Sequence, residues 1–219
     1  YSWIEIRPAG PLEKMQELGA SPEGPHTFST PYIVGDCSGF VTPLVPFKRL
    51  DEVSFLKDGL RSIPFAFLQL TKGAVDSALI VGSGGGIDVV RALLFGTKAV
   101  DAVDVNNLVI GAVRTYRNDT SDPYAQKGVV LHIDENRRFI TTQKDRYDII
   151  LNARSARYGM ELVNADLLAY MLTTEAYVFS LERLAPGGIL ALGQPAEFGN
   201  KTPGETLDLG MQRLALALH

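Results

Sequence analysis

Short apolar segments alternate with amphipathic ones through the middle of the chain, and this alternation predicts a sheet covered by helices. Five apolar runs lack polar alternation, which is typical of strands buried on both faces. These runs span 78–81, 99–105, 129–133, 147–151 and 189–192. Helical spacing is found over 87–94, over 107–116, around Phe139 and Ile140, and over 173–184. We therefore predict an α/β fold, a Rossmann-like, doubly wound, mostly parallel sheet.

The first 47 residues predict a small β-rich element in front of this sheet. Alternation over 3–7 indicates a strand, and β-prone runs at 32–34 and 40–42 around turn residues indicate a hairpin. This element, placed at 1–47, either packs against the main sheet or covers a substrate pocket as a lid. Residues 11–31 are predicted to be mostly loop, with at most a short helix at 12–18. The remaining predicted elements are helices over 48–72 broken near Pro64, a loop at 118–128, a helix-to-strand turn at Pro186-Gly187-Gly188, a loop at 195–204 and a helix at 205–218.

A glycine-rich turn, Gly82–Gly86, joins the first of the five runs to the first helix. Glycines let a backbone approach a ligand closely, and the helix start offers free N–H groups. Asp104 lies 22 residues after Gly82, where a carboxylate can accept hydrogen bonds from a ribose. The dinucleotide pattern G-x-G-x-x-G is incomplete, because Ile87 occupies the third glycine position. The combination favours a nucleoside-containing cofactor over a glycine turn without a ligand.

Polar side chains follow successive predicted strands at their carboxyl ends. These residues are Ser83, Asp104, Asp134, Glu135 and Asn152. A single one is most simply a surface residue between two elements. A set at successive strand ends predicts a ligand site, because doubly wound sheets bind their ligands at that edge.

Composition narrows the class of protein without naming a substrate. A net charge of −4 and a pI near 5.4 give no reason to expect nucleic acid as a partner. The single Cys37 cannot form an internal disulfide, which fits a reducing, cytoplasmic compartment. The three histidines are scattered, so no metal site is expected. No apolar run reaches 18 residues, so we expect no membrane insertion by this chain.

An ordered set of motifs resembles a known family. The motifs are Val81-Gly82-Ser83-Gly84-Gly85-Gly86-Ile87-Asp88, Val103-Asp104-Val105-Asn106, Asp134-Glu135-Asn136-Arg137-Arg138-Phe139, Tyr147-Asp148-Ile149-Ile150 and Leu184-Ala185-Pro186-Gly187-Gly188. Together they resemble the spermidine-synthase branch of the class I S-adenosylmethionine-dependent transferases, over about residues 76–193. They are most similar to the spermidine-synthase-like domains carried by multi-span bacterial membrane proteins.

The resemblance implies that residues 48–219 bind S-adenosylmethionine, its decarboxylated form or methylthioadenosine. It places the glycine loop under the methionine part of the cofactor, Asp104 on the ribose hydroxyls and Glu135 beside the adenine. The other residues expected at the cofactor are Gly82, Ser83, Gly84, Gly85, Gly86, Asp88, Val105, Asp134 and Asn152.

The chain departs from the family where spermidine synthases carry two aspartates that hold and deprotonate the attacking amine. Aligned from Tyr147-Asp148, these positions are Ala153 and Ala156, with Arg154 and Arg157 beside them. The arginines suit a solvated loop or an anion site equally well. A polycationic amine would meet like charge and no base, so we do not expect a working spermidine synthase.

The sequence thus favours a transferase-like domain with an unknown small-molecule acceptor and no assigned catalytic residue. The alternative is a non-catalytic nucleotide-sensing or regulatory domain of a membrane protein, and an NAD-dependent oxidoreductase is a distant third. The chain begins at Tyr1 and stops where a final sheet hairpin is usual. We therefore expect a piece of a longer protein, plausibly a cytoplasmic domain of a membrane protein, which could form a homodimer.

Overall fold

A small antiparallel sheet at the N-terminal side packs against the main core. A computed structural model describes residues 4–7, 32–35, 41–44, 47–116, 122–152, 171 and 173–192. Strand β1 (Ile4–Arg7) pairs with β2 (Tyr32–Gly35), which pairs with β3 (Val41–Pro43), so the predicted strand and hairpin are confirmed. Ile33 is fully buried in the main hydrophobic cluster, as expected if this element packs against the main sheet. The alternative, that the element covers a substrate pocket as a lid, stays a prediction.

Helical structure leads from this sheet into the main one. Two 3-10 segments, Leu50–Asp58 and Leu60–Ser62, run directly into α1 (Ile63–Lys72). The expected break near Pro64 is therefore a change of helix type at Ile63. Pro64 lies in the first turn of α1, where its missing N–H costs no hydrogen bond.

Five parallel strands form the main sheet, which confirms the predicted fold class. The strands are β4 (Ser77–Val81), β5 (Ala99–Asp104), β6 (Val129–Ile133), β7 (Tyr147–Asn152) and β8 (Leu184–Leu192). The helices between them are α2 (Ile87–Leu94), α3 (Asn107–Tyr116), α4 (Asn136–Thr142) and α5 (Thr174–Glu182). The strand order is β6-β5-β4-β7-β8, with every pairing parallel. The order reverses between β4 and β7, and this switch point is where doubly wound sheets bind ligands.

The prediction of a turn at Pro186-Gly187-Gly188 is wrong. Helix α5 ends at Glu182, and β8 already begins at Leu184, so the three residues lie inside the strand. The pairing of β7 with β8 shifts register between Tyr147 and Ile149. Such a bulge on a strand at the end of the sheet order accommodates a proline, which has no N–H to give the ladder.

Several sequence predictions lie outside the described residues. They are the helix at 12–18, the loop at 195–204, the helix at 205–218, and the positions Ala153, Arg154, Ala156 and Arg157.

Candidate functional site

The glycine loop lies against the end of the neighbouring strand β5. The backbone N–H groups of Gly82 and Ser83 both donate to the carbonyl of Val103, at 2.9 and 3.0 Å. Gly84 and Gly86 have φ angles of 53° and 82°, in the left-handed region that glycine adopts without a steric penalty. The loop is thus folded tightly between β4 and α2, and the amides of Gly82, Ser83, Gly84 and Gly86 are already bonded within the protein.

Asp104, the last residue of β5, holds the glycine loop in place. Its Oδ2 accepts a hydrogen bond from the N–H of Gly84 at 2.7 Å, and its Oδ1 accepts one from the N–H of Asn106 at 2.8 Å. Its side chain is buried, with 8% of its surface exposed. A carboxylate offers about four acceptor positions, so two remain beyond these backbone bonds. Asp104, the residue predicted to bind the ribose, is therefore also a structural link between β5 and the glycine loop.

A second support of the glycine loop comes from residues that sequence reasoning missed. The hydroxyl of Tyr124 donates to the carbonyl of Gly84 at 2.6 Å and lies 3.0 Å from the Ser83 hydroxyl. Pro123 packs so closely under Gly86 that a Cβ on that glycine would lie 2.3 Å from the proline ring. Both residues are buried, although 118–128 reads as a polar loop. The available signal was an adjacent proline and tyrosine in an otherwise polar stretch.

Asp88, predicted at the cofactor, lies in a buried ion-pair network behind the loop. Its carboxylate pairs with the guanidinium of Arg91, which is fully buried, and accepts a bond from Arg61 at 2.9 Å. Arg91 also donates to the carbonyl of Leu56 at 3.3 Å, which connects α2 to the preceding 3-10 segment. Burial lowers the pKa of Arg91, and the Asp88 carboxylate opposes that shift. Contact between Asp88 and a cofactor stays a prediction.

Asp134 and Glu135 lie together at the turn from β6 into α4. Asp134 accepts hydrogen bonds from the N–H of Glu135 and from Arg138 Nε, both at 2.6 Å. Glu135 caps α4, with one oxygen bonded to the N–H of Arg137 at 3.0 Å and the other to that of Arg138 at 2.8 Å. Both predicted ligands are thus positioned by the helix start, and each Glu135 oxygen keeps further acceptor capacity.

Exposed apolar side chains flank these carboxylates at the ends of β5 and β6. Val105, directly after Asp104, is 42% exposed, and Ile133, the register partner of Asp104 on β6, is 51% exposed. Exposed apolar surface beside polar groups is typical of a ligand site. These two side chains offer contact area for a flat apolar ring.

Asn152, the last residue of β7, completes the set at the switch point. It pairs in register with Val81, the residue directly before the glycine loop. The four strand ends β6, β5, β4 and β7 thus carry Asp134, Asp104, Ser83 and Asn152 in that spatial order at one edge of the sheet. In the part of the chain that the structure describes, no group of three or more histidine, cysteine or acidic residues is placed to hold a metal ion. Within that same part, no helix has the length and apolarity needed to cross a membrane.

The fold is that of a Rossmann-like α/β domain, with polar side chains gathered at the carboxyl edge of its sheet. No family model matches the chain. Among curated proteins, the chain is 24% identical over 131 residues to the polyamine aminopropyltransferase of Lachnoclostridium phytofermentans. That match covers 59% of this chain and 44% of the relative, so the chain spans less than half of that protein's length.

Solved structures of spermidine synthases share this fold. A spermidine synthase in complex with the transition-state analogue AdoDATO superposes with a TM-score of 0.60 at 16% identity, covering 96% of this chain and 64% of that one. The Thermotoga maritima spermidine synthase gives 0.57 at 16% identity, with 96% and 62% coverage. A probable spermidine synthase from Corynebacterium glutamicum gives 0.52 at 14% identity, with 98% and 68% coverage. The chain therefore has the spermidine-synthase fold, which confirms the resemblance to the spermidine-synthase branch. The closer similarity to domains of multi-span membrane proteins stays a prediction.

Proposed function

We propose that this chain is a domain that binds S-adenosylmethionine or its decarboxylated form, in a transferase whose acceptor is not a polyamine. The observation that carries the proposal is the arrangement at the end of β5. There Asp104 bonds the Gly84 and Asn106 amides while keeping acceptor capacity, directly beside a glycine loop at the switch point of the sheet. The similarity to an aminopropyltransferase and to spermidine synthases supports this class of ligand.

The residues of the site fit the chemistry of an adenosine cofactor. The remaining acceptor positions of Asp104 suit two ribose hydroxyls, and charge-assisted hydrogen bonds are the stronger kind. Val105 and Ile133 offer apolar surface for an adenine ring, and Glu135 offers acceptor atoms at its edge. When bound, S-adenosylmethionine supplies a sulfonium-activated carbon for transfer to a nucleophile. Within this proposal, Asp88 positions the start of α2 through its ion pairs with Arg91 and Arg61.

Ile87 supports this class of cofactor over NAD. It occupies the third glycine position of the dinucleotide pattern, where the absence of a side chain permits close helix–strand packing. Ile87 is instead buried in an apolar cluster with Phe47, Val53 and Leu56. The side chain of Ile87 therefore occupies the third glycine position and packs against the 3-10 segment Leu50–Asp58.

The residues expected to face the acceptor distinguish the proposed transferase from a spermidine synthase. A free alkylamine has a reference pKa of about 10.4 and is almost wholly protonated near pH 7. A general base is commonly worth roughly 10²–10⁴ in rate, and the aligned positions 153 and 156 carry alanine. These same alanines suit a non-catalytic nucleotide-sensing domain, which would bind the cofactor without turnover. Release of labelled product from labelled S-adenosylmethionine separates the two.

Replacing Asp104 by alanine is expected to weaken S-adenosylmethionine binding. The variant loses a pair of charge-assisted hydrogen bonds and the link to Gly84, a loss of about 2–4 kcal/mol of binding free energy. Isothermal titration calorimetry measures it, and circular dichroism checks that the variant is folded.

Asp101→Ala is the matched control, because Asp101 lies on the same strand but pairs with His132 and Tyr147, away from the loop. It should bind the cofactor like the wild type. An Asp104→Ala protein that is folded and keeps wild-type affinity would contradict the site assignment.

A further inference from the structure

Asn152 is a buried amide with unused hydrogen-bonding capacity at the switch point of the sheet. Only 2% of its surface is exposed, and within the described structure neither its Oδ1 nor its Nδ2 has a hydrogen-bond partner. Leaving such a group unpaired lowers the stability of the folded state, so each case in a folded protein calls for an explanation. A bound ligand or a buried water would supply one.

The charged residues at this edge of the sheet differ from Asn152, because the protein already pairs them. Arginine side chains pair with Asp88 and Asp134, and backbone amides pair with Asp104 and Glu135. These four carboxylates are the acidic residues predicted at the site. The proposed function assigns the remaining acceptor positions of Asp104 and Glu135 to the nucleoside, whereas both polar atoms of the Asn152 amide lack a partner within the described structure.

The position of Asn152 separates it from the residues proposed to hold the nucleoside. Those residues follow β4, β5 and β6, whereas Asn152 ends β7 on the other side of the glycine loop. Neighbouring strands lie about 4.8 Å apart, so the ends of β5 and β7 are separated by roughly 10 Å. That separation leaves room for a second ligand beside a cofactor anchored on β5.

We propose that Asn152 binds the acceptor of the proposed transferase, and that the acceptor is an uncharged compound with a hydrogen-bond donor beside an acceptor, such as a carboxamide or a lactam ring. This inference rests on the proposed function. A primary amide offers two N–H donors and one carbonyl acceptor, and a neutral amide-like group complements both. An ammonium group would satisfy the carbonyl alone and leave the Nδ2 donors unpaired.

The test uses uracil and benzamide as neutral probes and putrescine as the dicationic probe. Each is titrated into the whole chain saturated with S-adenosylhomocysteine, and binding is followed by saturation-transfer NMR and calorimetry. We expect the neutral probes to bind and putrescine to bind at least about tenfold more weakly, the factor for roughly one hydrogen bond. Asn152→Asp should reverse this preference, because it replaces the amide with a carboxylate of the same shape. Asn107→Asp, an exposed asparagine at the start of α3, adds the same charge and should change nothing.

A second variant keeps the test informative whatever the probes do. Asn152→Leu removes both unpaired polar atoms, so it should raise the melting temperature by about 2–6 °C and abolish binding of the neutral probes. A lower melting temperature in this variant would show that a buried water or the fold itself uses the amide, and would overturn the inference.

Failure of the inference can be told apart from failure of the proposed function. If S-adenosylhomocysteine does not bind the wild-type chain, the proposed function fails first. If it binds wild type and variants alike while the probes bind none of them, or all of them equally, only the assignment of Asn152 is overturned.

Discussion

Replacing Asp88 by asparagine is expected to cost about 3–5 kcal/mol of the free energy of unfolding, the usual loss when one partner of a buried ion pair is removed. The variant leaves the guanidinium of Arg91 fully buried without the carboxylate that neutralises it. Arg61 is partly exposed and can turn towards solvent, but Arg91 cannot. Urea denaturation followed by circular dichroism measures the loss.

Two further variants test the cause of that loss. Asp51→Asn breaks a solvent-exposed pair with Arg49 and should leave the free energy of unfolding nearly unchanged, because exposed ion pairs are screened by water and salt. The double variant Asp88→Leu, Arg91→Met removes both charges and should recover most of the stability, because apolar residues of similar volume replace buried pairs well. If Asp88→Asn costs no more than Asp51→Asn, the network does not stabilise the start of α2.

Replacing Gly86 by alanine is expected to destabilise the glycine loop strongly. The new Cβ would lie 2.3 Å from the Pro123 ring, and the backbone has a φ of 82°. Left-handed backbone costs a non-glycine residue about 1–2 kcal/mol and overpacking about 1–3 kcal/mol, so a total loss of about 2–5 kcal/mol is expected. Since Pro123 and Tyr124 support the loop together, affinity for S-adenosylmethionine should fall as well.

Two other glycines separate backbone strain from packing. Gly73, which ends α1, has nearly the same φ of 81°, yet a Cβ there meets nothing within 4 Å. Gly73→Ala should therefore cost only the strain, about 1–2 kcal/mol. Gly111→Ala, in α3 with open space around it, should stabilise by about 0.5–1 kcal/mol. Equal losses in Gly86→Ala and Gly73→Ala would show that the contact with Pro123 does not constrain the loop.

The fold could be predicted because its central strands are buried on both faces. All six residues of β7 are buried, and its centre, Ile149–Leu151, is apolar, with the polar residues Asp148 and Asn152 on either side of it. The same reasoning fails at β8, where Pro186-Gly187-Gly188 carries a turn signal inside a bulged strand. Local sequence does not distinguish a turn from a bulge, because both need glycine and tolerate proline.

Contacts within the candidate site could be predicted where the sequence signal is local and were missed where the contacting residues are distant in the chain. The loop and Asp104 belong to one strand–helix–strand unit, so their spacing could be interpreted directly. Tyr124 contacts Ser83 across 41 residues, from a stretch whose composition indicates a loop. Asp88 was expected at the cofactor because it belongs to the glycine-loop motif, but only the structure shows that it is buried with Arg91 and also pairs with the distant Arg61. The spacing of residues along a helix predicts which charged side chains on that helix can pair. It does not predict whether the pair is buried, because burial depends on the elements packed against the helix.

Calorimetric titration of the purified chain with S-adenosylmethionine, decarboxylated S-adenosylmethionine and NAD tests the central claim most directly. The arrangement of Gly84, Asp104 and Ile87 predicts that at least one of the two sulfonium compounds binds saturably at a single site and that NAD does not. Binding of NAD alone, or no binding of either sulfonium compound by a folded chain, would contradict the account.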